Sequence, residues 1–223
     1  MMTRDTLLNG EYLRAHEALL PTEILWSMAD IEESMASTLS RRDESAPVWL
    51  FAYGSLMWNP LVEYEEVQPA TLEGWQRQFS IRLTSGRASA ESPGRMLSLG
   101  PGGRTEGIAF RLPEQDLERE LKLAWVREMV AGFYRPEWMP IRLQNGRIAS
   151  ALVFAGRADH PMYEVDNSSQ TVAQVVINAK GYLGSNAEYV HQLKAVLAEF
   201  GISDGYVNEI ACALHARRLD SPK

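Results

Sequence analysis

The sequence holds a single cysteine, Cys212, in 223 residues, so no disulfide can form within the chain, and a reducing compartment is expected. No stretch approaches the roughly 18 consecutive apolar residues of a membrane-spanning helix. The opening residues MMTRDTLLNGEY lack the apolar region of a secretion signal. The expected location is therefore the cytoplasm, with no membrane partner. A net charge of -7 argues against a nucleic-acid partner. It leaves room for an anionic small molecule, because backbone amides or a few arginines can reverse the potential inside a cleft. The histidines, His16, His160, His191 and His215, show no ligand spacing and have no cysteine pair beside them, so no metal is expected. The glycines of GPGGRTEG, Gly100 to Gly107, lack the spacing and following helix of a phosphate-cradling loop, so no nucleotide or other cofactor is expected. Ser55 lacks a surrounding G-x-S-x-G, which makes it a binding group and not a nucleophile. Cys212 reads as a packed thiol in a C-terminal helix.

What the sequence does contain is organised around VWLFAYGSLMWNP, Val48 to Pro60. Its strand-forming, uncharged first half predicts a strand covered on both faces. The chain then breaks at Tyr53-Gly54-Ser55-Leu56. Two readings stay open for this tetrapeptide: an ordinary strand-to-turn junction, or a binding loop whose Gly54, Ser55 and Leu56 amides point at an anionic or carbonyl oxygen. A second informative stretch is PEQDLERELKLAWVREMVAG, Pro113 to Gly132, whose proline, acidic first turn and terminal glycine predict a helix. At about 100° per residue, Leu117, Leu121 and Ala124 form one stripe and Glu128 falls within it. A carboxylate on an apolar stripe calls for a cause, since burying an unpaired charge is costly. It is either a general acid or base whose pKa desolvation has raised, or half of an ion pair with Arg127 or Arg142.

The remaining chain supplies the frame. Residues Thr3 to Leu39 read as helical, with Ile24, Met28, Ile31 and Met35 on one side of a helix beginning near Thr22. The polar run Ser40 to Ser45 then reads as a connector. The expected organisation is an N-terminal helical extension over 1–45 and a catalytic domain over 46–223. Trp75 to Leu83 alternates as a half-buried strand, and the acidic EYEEV before it, Glu63 to Val67, reads as a solvated edge. The polar loop from Thr84 to Gly94 carries Arg87 and leads to Arg95. Either arginine is a surface charge or a bidentate partner for a substrate carboxylate. Met96 to Leu99 and Gly107 to Leu112 read as strands flanking a glycine turn. Asn145-Gly146, between the apolar runs Met139 to Leu143 and Arg147 to Ala155, is a strong hairpin signal. Helices are expected from about Ser169, Ala187 and Ser203 onward, with the ring of Tyr189 buried beside Leu193, Leu197 and Phe200. Many short strands enclosed by helices predict an α+β fold with a small, mixed but mostly antiparallel barrel.

VWLFAYGSLMWNP, PGRMLSL at Pro93 to Leu99, WVREMVAGFY at Trp125 to Tyr134 and GSNAEYV at Gly184 to Val190, in this order, resemble the ChaC family of γ-glutamylcyclotransferases. The resemblance implies the γ-glutamylcyclotransferase-like barrel with surrounding helices and cleavage of glutathione to 5-oxoproline and cysteinylglycine. It implies Tyr53 to Leu56 as the substrate loop, Glu128 as the catalytic carboxylate, and a Tyr189 that faces the substrate. It also weakens the surface reading of Arg95. Two positions depart from the family pattern, Ala52 and Ala88, where glycine is usual; alanine would strain the loop only if φ were positive there. Two other readings stay beside this one: the same chemistry on other γ-glutamyl amines or dipeptides, and a non-enzymatic ligand-binding protein linked to cation transport. Oligomeric state is left open.

Overall fold

The computed structural model describes residues 2–219. Five strands close a barrel in the order β1-β3-β2-β4-β5, with β1 at Trp49–Ala52, β2 at Glu66–Leu83, β3 at Gly94–Arg111, β4 at Tyr134–Leu143 and β5 at Ile148–Gly156. β1 runs antiparallel to β3 and parallel to β5, and β4 pairs antiparallel with both β2 and β5. The parallel β1–β5 pairing makes an otherwise antiparallel barrel mixed, as the strand patterns predict. Among the described residues no helix is long and apolar enough to cross a membrane.

The chain divides into two compact units: residues up to Gln76 with Leu99–His160, and Arg77–Ser98 with Pro161 onward. In the first unit, β1 is paired along both edges and all four of its residues are buried, which is why Trp49 to Ala52 is continuously apolar. The helix α4, Leu117–Glu128, lays Leu121, Ala124 and Trp125 into the core. The Trp125 and Phe154 rings meet edge to face with centroids 5.2 Å apart. The N-terminal helices α1, Arg4–Leu8, α2, Glu11–Glu17, and α3, Met28–Leu39, belong to this unit. Within it, α3 packs on α4 and β4, burying Ile31 and Met35.

In the second unit α5, Ser169–Val176, α6, Asn186–Glu199, and α7, Gly205–Leu219, bury Val172, Val176, Val190, Leu193, Val207, Ile210 and Leu214 together with Phe79 and Ile81 from the end of β2. A two-stranded ladder of β6, Lys180–Gly181, and β7, Gly184–Ser185, precedes α6. Ser185 and Glu188 form a reciprocal capping box that starts α6.

Several boundaries differ from the sequence reading, each for a local reason. The helix expected from Thr22 begins at Met28, because Ser27 and Asp30 close a capping box and the Trp26 amide donates to the Val130 carbonyl, which holds the preceding residues out of the helix. Met96 to Leu99 and Gly107 to Arg111 are parts of one 18-residue strand, β3, which ends one residue before Leu112. The intervening glycines do not reverse the chain, with φ of +112° at Gly102 and +59° at Gly103 inside the continuous strand. Likewise β2 takes in Glu66 and Val67 of the acidic segment. Cys212 is exposed, so the expected packed thiol is corrected. Phe200 is also exposed, and Tyr189 is half-buried.

Gly132 ends the segment after α4 with φ of +63°, and a Cβ there would fall on the Trp26 indole. Gly132→Ala is therefore expected to lose about 1–3 kcal/mol of stability from backbone strain, with the displaced indole adding to it. Thermal unfolding of the variant checks this, and an unchanged midpoint would contradict it.

Candidate active site

Strand β1 delivers Tyr53, Gly54 and then a short 3-10 turn, Ser55–Met57, at its C-terminal end. The Tyr53 hydroxyl donates to the Phe154 carbonyl on β5 at 2.7 Å, tying the start of the loop to the barrel. Inside the turn the Met57 amide donates to Gly54 O at 2.9 Å and the Asn59 amide to Ser55 O at 3.1 Å. The Ser55 and Leu56 amides, at the first two positions of the turn, have no carbonyl within it to donate to. The segment thus presents two turn amides beyond a strand end that Tyr53 ties to the barrel. Ala52 and Ala88 are unstrained there: among the described non-glycine residues only Leu61 has a positive φ, at +55°.

Helix α4 places Arg127 and Glu128 against this loop. The Arg127 side chain is 5% exposed and its Nε lies 3.0 Å from Glu128 Oε1. Its Nη2 donates to Ser55 Oγ at 2.8 Å, and its Nη1 donates to the Asn59 carbonyl. Nε–H and Nη2–H point along the same edge of a planar guanidinium. The Ser55 hydroxyl and the Glu128 carboxyl are therefore held by one guanidinium. Of the two ion-pair partners considered for Glu128, Arg127 is the one found, and Arg142 is exposed on β4. Burial pushes the Glu128 carboxyl above its ordinary range, and the charge and hydrogen bond of Arg127 only partly offset it. Its place as the last residue of α4, where the helix dipole is negative, acts in the same direction as burial. The side chain still keeps 14% of its surface open, so a proton can reach it.

The other candidate residues lie in the second unit. Arg95 is buried and pairs with Glu164 at 3.2 Å, while its backbone is bracketed by Asn186, which accepts from the Arg95 amide at 2.7 Å and donates to its carbonyl at 3.0 Å. Arg87 donates to the Ser185 carbonyl at 3.2 Å and lies 3.8 Å from Glu188, at the start of α6. Tyr189 sets its ring edge to face on Phe79, centroids 6.1 Å apart. Each of the three is engaged within its own unit, whereas Tyr53, Gly54, Ser55, Leu56 and Glu128 are gathered in the first. Among the described residues no group of three or more metal-ligating side chains comes together.

The residue that the sequence reading undervalued is Arg127. It entered only as one possible partner of Glu128, yet it joins the carboxyl to the loop 72 positions earlier. Its one sequence signal was adjacency to a carboxylate on an apolar stripe. Neighbouring helix residues do not ordinarily face each other, so adjacency alone does not announce the contact.

A small closed barrel with surrounding helices is a fold that this chain shares with solved γ-glutamylcyclotransferases. A crystal structure of a γ-glutamyl cyclotransferase specific to glutathione from yeast has the same fold, with a TM-score of 0.71 at 20% identity, over 80% of this chain and 100% of that one. The chain belongs to the ChaC-like protein family, whose model matches residues 48–217. Among its relatives, the glutathione-specific γ-glutamylcyclotransferase of Escherichia coli is 46% identical over 210 residues, 94% of this chain and 90% of that protein. Glutathione-specific γ-glutamylcyclotransferase 1 of Danio rerio is 32% identical over 180 residues, 76% of this chain and 89% of that protein.

Proposed function

We propose that this chain is a glutathione-specific γ-glutamylcyclotransferase, with the catalytic domain over residues 46–223, the N-terminal extension over 1–45 and Glu128 as general acid and base. The observation that carries this reading is the desolvated Glu128 carboxyl, joined through the Arg127 guanidinium to Ser55. The names of the E. coli and D. rerio relatives supply the substrate.

A γ-glutamyl amide carries its own nucleophile. Once its α-ammonium loses a proton to solvent, which the freed cysteinylglycine amine later regains, the amine attacks the γ-carbonyl carbon, a five-membered ring forms, and the bond from that carbon to the cysteine nitrogen breaks. Glu128 accepts the proton that the attacking nitrogen sheds and delivers it to the departing nitrogen, so no water is consumed. The released products are 5-oxoproline and cysteinylglycine. Holding the glutamyl chain folded for this attack contributes several kcal/mol, about 7–11 in well-oriented intramolecular reactions. The Ser55 and Leu56 amides and the Ser55 hydroxyl suit the substrate's oxygens. Tyr53, whose proton goes to Phe154, supports the loop from behind.

The test is the product. Pure protein with glutathione should release 5-oxoproline without free glutamate, and N-acetyl-glutathione, whose amine is blocked, should survive intact. Glutamate as the first product, or cleavage of the acetylated compound, would replace ring closure by hydrolysis.

A further inference from the structure

Arg127 has more contacts than an ion pair needs. Its side chain is almost fully buried, and it reaches three groups on two elements: Glu128 Oε1 at the end of α4, Ser55 Oγ at the start of the 3-10 turn, and the Asn59 carbonyl just beyond that turn. A residue that only neutralised Glu128 would not have to grip both ends of the loop. A lysine, with a single compact ammonium, does not span three acceptors in one plane.

We infer that Arg127 is a positioning residue for this reaction: one guanidinium sets the Glu128 carboxyl and the Ser55–Asn59 loop in a fixed relation, so that base and substrate oxygens share one frame. The inference rests on the proposed role of Glu128. The ion pair is made through Oε1, which fixes the carboxyl's orientation. Arg127 also supplies the positive charge that works against burial at Glu128. From the other elements beside this corner, Ser55 and Asn59 present a hydroxyl and a carbonyl to Arg127. Past the helix end, His160 contacts the Ala131 carbonyl and Arg157 donates to that of Gly132.

The experiment compares Arg127→Met, Arg127→Lys and Glu128→Gln in the full-length protein, reading kcat, KM for glutathione and the pH dependence of kcat/KM. Arg127→Met is expected to reduce kcat at least about tenfold, to raise KM, and to move the acid limb of the pH profile up by about one unit or more, because the opposing charge is gone. Arg127→Lys should restore much of the acid limb through its charge while KM stays raised, because the loop is no longer gripped. A merely structural role would lower thermal stability and the amount of folded enzyme but leave the acid limb in place. If Arg127→Met does not fold, Arg127→Lys decides by the same KM and pH readings. Wild-type kcat, KM and acid limb in Arg127→Lys, with Glu128→Gln inactive, would overturn the positioning role and leave the base assignment standing. An active Glu128→Gln would instead remove the base assignment on which it rests.

Discussion

Glu128→Gln is expected to lower kcat for glutathione by about a hundredfold to ten-thousandfold, the usual range for loss of a general acid–base group, while the protein stays folded. The amide keeps the shape of the carboxyl and can still accept from Arg127 Nε, so the frame around Ser55 and Asn59 has no reason to open. It cannot take a proton from the attacking amine. The thermal effect is expected to be small for a linkage reason. Burial raises the folded pKa of Glu128 above the ordinary value of 4.5. The stabilising contribution of such a group is fully present below the unfolded pKa and is lost as pH rises through the folded pKa. Wherever Glu128 is ionised the wild-type protein therefore holds a carboxylate that the fold disfavours, and the neutral amide removes that burden. The same raised pKa places the acid limb of wild-type activity above pH 4.5, with activity rising as Glu128 ionises. Steady-state kinetics with thermal unfolding of both proteins checks the pair of expectations. Activity near the wild-type level in a folded variant would take Glu128 out of the mechanism.

Arg4→Met is expected to cost roughly 3–5 kcal/mol, the range for stripping one partner from a buried ion pair. Glu120 has a side chain 1% exposed. It accepts from both terminal nitrogens of Arg4 at 2.6 Å and from the Glu63 amide at 2.6 Å. Arg4 Nη1 also donates to the Leu61 carbonyl at 3.0 Å, at the residue whose φ is +55°. Removing the guanidinium would leave a buried carboxylate with one amide and would release the strained loop beyond the 3-10 turn. Burial alone would push the Glu120 carboxyl up, but the hydrogen bonds from Arg4 and the Glu63 amide, with the Arg4 charge, bring it below its ordinary 4.5. A depressed folded pKa contributes stability above the unfolded value and loses it as pH falls through the folded one. The gap between wild type and Arg4→Met should accordingly be wide at pH 7 and narrow as the pH drops below 4.5. Urea unfolding at both pH values measures it. An Arg4→Met, Glu120→Leu double variant should recover part of the loss, because it leaves no buried charge unpaired. A single variant within about 1 kcal/mol of wild type at pH 7 would show that Glu120 finds another partner.

The segment before β1 shows how far local pattern reaches. Its helical character was legible, and so were Ile31 and Met35, from their spacing, as a buried side. That Arg4 would meet Glu120 was not, since 116 positions separate them and no local preference couples them. Strand β3 shows a different limit. Its glycine pairs read as a turn because glycines with positive φ serve turns and bulges alike, and only the pairing of the surrounding strands selects between the two. Tyr189 was placed on the correct helix, but the depth of its ring depended on what the neighbouring helices left uncovered.

By itself the sequence determined the elements whose cause is local. The continuous apolar run makes β1 a central strand, Asn145-Gly146 sets the β4–β5 hairpin, the segment from about Ala187 is helical, and an apolar stripe at helical spacing carries Glu128 inward. Each follows from backbone preference or from burial of one face, forces that act within a few residues. The tertiary structure alone decided the Arg127 grip on Glu128, Ser55 and Asn59, and the Arg4 clamp on Glu120 and Leu61. Those are contacts between side chains brought together by packing. Their energies depend on burial and on distances of about 3 Å, which no order of residues along the chain can specify.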